Sequence, residues 1–98
     1  MKHKLADIQY SIPVTFFKEG GTFVAYSPVL DLSTAGKTFE QAQSRLKEAV
    51  DIFFEEIIEH GTLNTVLASL GWSKIRRQWM PPIELAHRSQ VVNIPQLA

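Results

Sequence analysis

The densest set of chemically active side chains in this 98-residue sequence is a run of carboxylates near its middle. Carboxylates that converge in space can hold two divalent metal ions, as metal-dependent nucleases require. Glu48, Asp51, Glu55 and Glu59 instead recur every three or four residues, which places them along one face of a helix. Because the opposite face of that helix is apolar, we predict a solvent-exposed acidic face rather than a metal site.

The remaining residue types that catalyse reactions are scattered. Asp31 lies near a strand end and stands apart from the helix acids, and His3, His60 and His87 lack the spacing of a metal-ligand set. There are no cysteines, so cysteine-based zinc sites are excluded. The glycine pair at 20–21 fits a hairpin turn rather than a phosphate loop, and no nucleophile elbow is present. We therefore predict a protein that is not an enzyme and needs no metal or cofactor.

Basic residues indicate a nucleic-acid surface only weakly. Ten acidic and ten basic residues give a net charge of zero, so the overall basicity typical of nucleic-acid binding is missing. Lys74, Arg76 and Arg77 form a small basic cluster, for which a solvated turn is favoured over phosphate contact. Two helices around Gly61 would resemble a helix-turn-helix, but the second offers no Arg or Lys for DNA contact.

The acidic residues are positioned by an amphipathic helix that we predict over residues 38–59. Thr38 and Gln41 have the spacing of a capping box at its start, and Gly61 can close it in the left-handed conformation. We expect Leu46 and Phe53, near the centre of the apolar stripe, to be core residues. The whole stripe consists of Phe39, Ala42, Leu46, Ala49, Val50, Phe53 and Ile57.

Three strands are predicted before this helix. Residues 8–17 alternate between apolar and polar side chains, with Ile8, Tyr10, Ile12, Val14 and Phe16 on one face, which predicts a half-buried strand. Pro13 must then face a sheet edge or a bulge, because it has no N–H to donate. A hairpin turn at residues 18–21 leads to a second strand at 22–27, and a third follows at 32–35.

The chain after the main helix predicts smaller elements. Thr62 caps a short helix with an apolar face (Leu63, Val66, Leu67 and Leu70), which Gly71 ends. Residues 72–79 fit a small hairpin with Arg76 and Arg77 at its tip, although two arginines are poor turn residues. Residues 90–94 are rich in β-branched side chains and predict a last strand, stopped by Pro95. The order β-β-β-α-α-β predicts an α+β fold, a three- to four-stranded antiparallel sheet with one long helix packed on a face.

These elements fit one domain over residues 1–98, with a core at 8–60 and a C-terminal extension at 62–98 that holds the short helix and last strand. No apolar run is long enough to span a membrane. The first seven residues lack the apolar segment of a signal peptide. Together with the lack of cysteine, these features favour a cytoplasmic location.

One stretch of the sequence resembles a known family. After a glycine-turn hairpin, the chain carries Pro-x-Leu and then Gly-x-Thr-x-x-Gln-Ala, followed by the long helix. This order is similar to the signature of the HicB-like antitoxins. The resemblance covers residues 8–60 well and the later Leu-Gly-Trp and Trp-Met-Pro-Pro stretches less well. The matching residues are Pro28, Leu30, Gly36, Thr38, Gln41 and Ala42.

The resemblance implies a degenerate, partial RNase H-like fold without catalysis of its own. HicB-like proteins bind a small HicA-type toxin, an mRNA-cleaving nuclease, and cover its active site. Many also carry a C-terminal ribbon-helix-helix or helix-turn-helix that binds DNA. This chain departs from those members, because only a short β-rich stretch follows Arg88. The resemblance therefore does not extend to a DNA-binding motif.

The main helix carries a candidate partner interface, and its acidic face fits equally a docking surface for a basic partner and a solvated face that keeps the helix soluble. Two apolar residues, Phe54 and Ile58, lie on its flank away from the centre of the apolar stripe. Either the second helix or the last strand covers them, which we favour slightly, or they contact a toxin or a second subunit of a homo-oligomer. With the acidic face, the candidate interface is Glu48, Asp51, Phe54, Glu55, Ile58 and Glu59. The alternative function is a HicB-like protein without a toxin that binds nucleic acid or a small ligand.

Overall fold

A computed structural model of the chain describes residues 9–96; Ile8, His3 and the segment considered as a signal peptide lie outside them. The predicted α+β class is confirmed. The elements are β1 (Thr15–Glu19), β2 (Thr22–Ser27), β3 (Leu32–Gly36), α1 (Phe39–Glu59), α2 (Leu63–Ser69), β4 (Ser73–Ile75) and β5 (Gln78–Met80). Strands β1, β2 and β3 form one antiparallel sheet in that order, and β4 and β5 pair separately. Within this range no helix is long and apolar enough to cross a membrane.

The first strand is shorter than the sequence predicts. It begins at Thr15, which pairs with Tyr26 of β2, and the predicted strand is wrong over residues 9–14. Continuing the same register would place Pro13 opposite Pro28, and neither proline has an N–H to extend the ladder. Residues 9–14 still contribute to the core, because Ile12 and Val14 pack against it.

The two hairpins of the main sheet follow their turn residues. Gly20 takes a positive φ of 61° between β1 and β2, as a two-residue hairpin turn requires. β2 then runs over the predicted residues, and β3 includes one residue more than predicted. That residue, Gly36, lies so close to α1 that an added Cβ would come within 2.7 Å of the backbone nitrogen of Ala42. Only glycine fits at this approach of strand to helix.

The start of α1 confirms half of the predicted capping box. The hydroxyl of Thr38 accepts a hydrogen bond from the Gln41 backbone N–H at 3.0 Å. The Gln41 side chain accepts from the N–H of Lys37 at 2.7 Å, instead of from Thr38. At the other end Gly61 adopts a φ of 68°, and its N–H donates to the Ile58 carbonyl. The predicted helix therefore begins and ends where its local signals place it.

The core lies between α1 and the sheet and continues beneath α2. Leu46 is 4% exposed and packs with Ala25 and Ala42, as the apolar stripe predicts. Phe53, also expected in the core, is half-buried and packs against the core cluster from its border. Phe39 is also displaced from the core, because it lies at the first turn of α1 and packs on Phe16 at the sheet edge, with ring centroids 4.2 Å apart.

A single buried tryptophan joins the C-terminal extension to the sheet. Trp72 follows α2 and Gly71, and its indole Nε1–H donates to the carbonyl of Val29 at 2.8 Å. Val29 and Leu67 are buried in the same cluster. Thr62 occupies the predicted N-cap position of α2, but its hydroxyl makes no cap bond and instead donates to the Ile57 carbonyl at 3.4 Å.

The last part of the chain contains one confirmed element and one correction. The β4–β5 hairpin has Arg76 and Arg77 at its tip, both with positive φ, and Trp79 donates to the side-chain oxygen of Asn64. The predicted strand at 90–94 is wrong, because residues 81–96 form neither strand nor helix. The main sheet of the described region therefore has three strands. A strand needs a partner backbone, and this segment has none within reach.

Candidate functional site

The acidic face of α1 is exposed along its length. Glu48, Asp51, Glu55 and Glu59 are all solvent-exposed, and we call these four residues the acidic ridge. The ridge forms because the same 3.6-residue period that buries Leu46 turns these positions away from the sheet. It spans roughly 16 Å, at 1.5 Å per residue. In residues 9–96 no acid of the ridge has an ion-pair partner, so its negative charge is not neutralised by a neighbouring side chain.

An exposed isoleucine lies in the middle of this ridge. Ile52 is 55% exposed, four residues after Glu48 and three before Glu55, so it lies between them on the helix surface. Ile58, 45% exposed, lies on the flank as the sequence predicts. Our sequence analysis missed Ile52, although a helical projection places it among the acids. Exposed apolar residues surrounded by charge have the composition of a small protein-binding surface.

Phe54 does not belong to this surface. It is half-buried and packs edge-to-face against Trp72, with ring centroids 6.4 Å apart. The expectation that this flank is covered is correct for Phe54 and wrong for Ile58. The covering residue is the tryptophan after α2, not a last strand. Of the six residues in the predicted interface, five are exposed, and they lie along α1.

The open face of the sheet carries a second feature, an apolar groove with a volume of about 590 Å³. Because α1 covers the opposite face, side chains such as Thr15, Phe17 and Tyr26 point away from the helix. Phe17 is 48% exposed there. Pro82 and Ile83 line the other side of the groove, together with Pro13, Pro28, Val29, Glu84 and His87.

One polar pair marks the edge of this face. The hydroxyl of Tyr26 donates to the carboxylate of Asp31 at 3.0 Å, and Asp31 adopts a positive φ of 51° in the turn after β2. This hydrogen bond raises the pKa of Tyr26 above its usual range, with smaller contributions from desolvation and from the charge of Asp31. The carboxylate of Asp31, near the strand end as the sequence indicates, is thus engaged by a tyrosine of β2.

A second groove, of about 740 Å³, lies between residues 9–12 and α1. Its floor is formed by Leu30, Val50 and Trp72, and Tyr10 packs edge-to-face on Trp72 at 6.2 Å. Lys47 and Asp51 stand on its rim. Asp51 therefore belongs both to the acidic ridge and to the border of an apolar recess.

The remaining groups do not come together as a reaction centre in the part of the chain that the structure describes. Within residues 9–96, no three His, Asp or Glu side chains are placed to hold a metal ion. The ring nitrogen Nδ1 of His60 lies 2.8 Å from the carbonyl oxygen of Glu56, at the C-terminal end of α1. His87 lies 3.7 Å from Glu84 in the extended C-terminal segment.

The basic cluster occupies the tip of the β4–β5 hairpin. Arg76 and Arg77 are exposed, and the ammonium group of Lys74 lies 5.8 Å from the centre of the Trp79 ring. The cluster is separated in sequence from the acidic ridge and carries the opposite charge. It is the concentrated positive surface of the described C-terminal region.

The motif that resembles the HicB-like family consists of residues that build the fold. Leu30 and Ala42 are buried in the core, and Gly36 permits the close contact with α1. Thr38 and Gln41 cap the helix start, and Pro28 ends β2. No protein-family model, curated protein or solved structure matches this chain.

Proposed function

We propose that this protein is a HicB-like antitoxin that acts in the cytoplasm by binding and occluding a HicA-type, mRNA-cleaving toxin, without catalysis of its own. The observation that carries the proposal is the acidic ridge, an exposed negative surface with Ile52 at its centre and Ile58 on its flank. The resemblance to the HicB-like motif suggests the kind of partner, a HicA-type toxin. The acidic ridge is the surface that we propose binds it.

Charge complementarity supports this assignment. A nuclease that cleaves mRNA must attract a polyanion, so its RNA-binding surface is basic. An inhibitor that covers that surface gains from negative charge, chiefly because the charge raises the association rate. Salt screens the charges, so this gain in rate becomes smaller as the salt concentration increases. The apolar residues within the ridge contribute differently, because contacts that lose water on binding mainly slow dissociation.

The test uses two variants with the same change in net charge. Glu48→Lys with Glu55→Lys reverses the middle of the ridge, and the control reverses Glu19 and Glu40, which are exposed elsewhere. Association with a purified HicA-type toxin is followed on an immobilised surface over a range of salt concentrations. We expect the ridge variant to associate at least about tenfold more slowly than the parent at low salt, with a shallower salt dependence. The association rate of the control should fall much less.

An Ile52→Ala variant completes the test. We expect it to raise the dissociation rate while leaving the association rate near that of the parent. Equal association rates and equal salt slopes for the ridge variant and its control would contradict the assignment of the ridge as the docking surface. Failure of the parent protein to bind or inhibit the toxin would contradict the antitoxin function itself.

The β4–β5 hairpin favours a second candidate function, contact with nucleic-acid phosphates. Its tip presents Arg76 and Arg77, and Trp79 offers an aromatic surface beside Lys74. Binding of labelled RNA or DNA that weakens with salt and is lost in Arg76→Glu with Arg77→Glu would support this alternative. The same variant should leave toxin capture unchanged if the ridge is the toxin-binding surface.

A further inference from the structure

The last part of the described chain is apolar and uncovered. Residues 83–94, which we call the C-terminal arm, contain five large apolar side chains: Ile83, Leu85, Val91, Val92 and Ile94. Four of them are at least 77% exposed, and Val92 is 64% exposed. Isolated apolar residues on a surface are ordinary, but Val91, Val92 and Ile94 lie within four consecutive residues, and clustered exposed apolar residues mark an interaction site.

The described chain is elongated, and the end of the arm is uncovered. The described chain measures 65 × 29 × 23 Å, and its radius of gyration is 16.9 Å, whereas a compact chain of this length has about 13 Å. Residues 90–94 therefore do not lie against their own sheet. Their composition is nevertheless that of a strand, because they hold three β-branched residues without a charge, and Pro95 stops the run.

The sheet offers a matching site at its β1 edge. In the strand order β1-β2-β3, β1 has a partner on one side only, so its other edge presents unpaired backbone groups. Both faces beside this edge are aromatic. Phe17 is exposed on the open face, over the apolar groove, and Phe16 stacks with the partly exposed Phe39 on the helix side.

The opposite edge of the sheet, formed by β3, is less suitable for pairing with an added strand. The guanidinium of Arg45 donates to the carbonyl oxygen of Ala35 at 2.7 Å, which occupies an acceptor of β3. The main helix also packs chiefly over β3 and β2, and less over β1. An added strand therefore meets fewer obstacles at β1.

We propose that two copies of this chain exchange their C-terminal arms, with residues 90–94 of each copy adding a strand to the β1 edge of the other. Side chains of a strand alternate between its faces, so Val92 and Ile94 point one way and Val91 the other. Each face finds an aromatic partner, Phe17 on one side and Phe16 with Phe39 on the other. The exchange is reciprocal, as expected for a twofold dimer. This self-association does not depend on the proposed toxin.

The first experiment measures mass. Light scattering of the full chain at micromolar concentrations should give twice the 11.1 kDa of one copy. Val92→Asp with Ile94→Asp should halve that mass and leave the circular dichroism of the body unchanged, because both side chains are exposed in their own copy. The matched control is Ile75→Asp in the β4–β5 hairpin, which is 56% exposed and should leave the mass unchanged.

The second experiment distinguishes exchange from other contacts. Because the chain has no cysteine, a Phe17→Cys variant can be mixed with a Val91→Cys or Val92→Cys variant and oxidised. One of the two mixtures should form an intermolecular disulfide efficiently, since one of the two arm residues shares the face of Phe17. A monomer mass for the parent, a dimer that persists in the Asp variant, or the absence of a disulfide between Phe17→Cys and either arm variant would each overturn the proposal.

Discussion

The body of this protein, residues 15–72, and its C-terminal arm, residues 83–94, contain similar apolar side chains with opposite outcomes. In the body, leucines such as Leu46 and Leu67 are almost fully buried, whereas Leu85 in the arm is 93% exposed. The difference lies in the surfaces that each segment contacts. In the body, the sheet, α1 and α2 each present an apolar face to the others, whereas the apolar side chains of the arm remain exposed. An apolar pattern therefore predicts that a segment needs a partner, but not which chain provides it.

Hydrogen bonds separate the two regions in the same way. The body is tied across a long sequence distance by Trp72, which donates to Val29, and β3 is tied to α1 by Thr34, which donates to the carbonyl of Ala42 at 2.8 Å. In the described part of the arm, one exposed contact between His87 and Glu84 joins two neighbouring side chains. We expect the stability of the monomer to reside in the body.

The sharpest test of this contrast truncates one leucine in each region. Leu46→Ala should lower the free energy of unfolding by about 2–5 kcal/mol, because it removes buried apolar atoms and leaves a cavity between α1 and the sheet. Leu85→Ala should change it by about 0.5 kcal/mol or less in dilute solution. Denaturant unfolding measures both. Equal losses in the two variants would mean that the arm belongs to the core, and a loss for Leu85→Ala that grows with protein concentration would indicate its role between copies.

Replacing either tryptophan by phenylalanine should lower the stability of the fold by less than Leu46→Ala does. Trp72→Phe leaves the carbonyl of Val29 without its buried donor and should destabilise the fold by about 1–3 kcal/mol. Trp79→Phe removes an exposed hydrogen bond to Asn64 and should have a clearly smaller effect. Thermal melts of the pair measure the difference. If Trp79→Phe lowered the melting temperature more than Trp72→Phe, the contact between the β4–β5 hairpin and Asn64 would contribute more to stability than the contact between Trp72 and Val29.

The smallest effect concerns the hydrogen bond between Tyr26 and Asp31 on the open sheet face. Because this bond raises the pKa of Tyr26, its stabilising effect is complete below the ordinary tyrosine pKa of about 10 and is lost as the pH rises through the folded-state value. The melting temperature of the parent should therefore fall more steeply between pH 9 and 11 than that of Tyr26→Phe. Parallel pH profiles would show that the bond does not persist in solution.

Much of the body could be predicted from the sequence because its signals are local. Thr38, Gln41 and Gly61 act within a few residues of themselves, and they set the ends of α1 correctly. The helical period predicted the exposed acidic ridge for the same reason. The resemblance to HicB-like proteins is local too, and its residues explain folding without revealing a partner.

Other features depend on contacts that no local pattern specifies. The sequence predicted strands at 8–17 and 90–94 from alternation and β-branched residues, yet β1 begins at Thr15 and the arm is unpaired in the described chain. Backbone pairing needs a second strand with free N–H groups at the right place. Opposed prolines stop it at one end of β1, and the arm has no paired strand in the described chain.

The sequence by itself determined the α+β class, the bounds of α1, the hairpins and the exposed acids, because turn, cap and periodicity signals act between near neighbours in the chain. Only the tertiary structure decided that Trp72 covers Phe54, that Ile52 stands within the acidic ridge, and that the C-terminal arm leaves the body. Burial and strand pairing are properties of two segments brought together in space, and the pattern of either segment describes only one half of the contact.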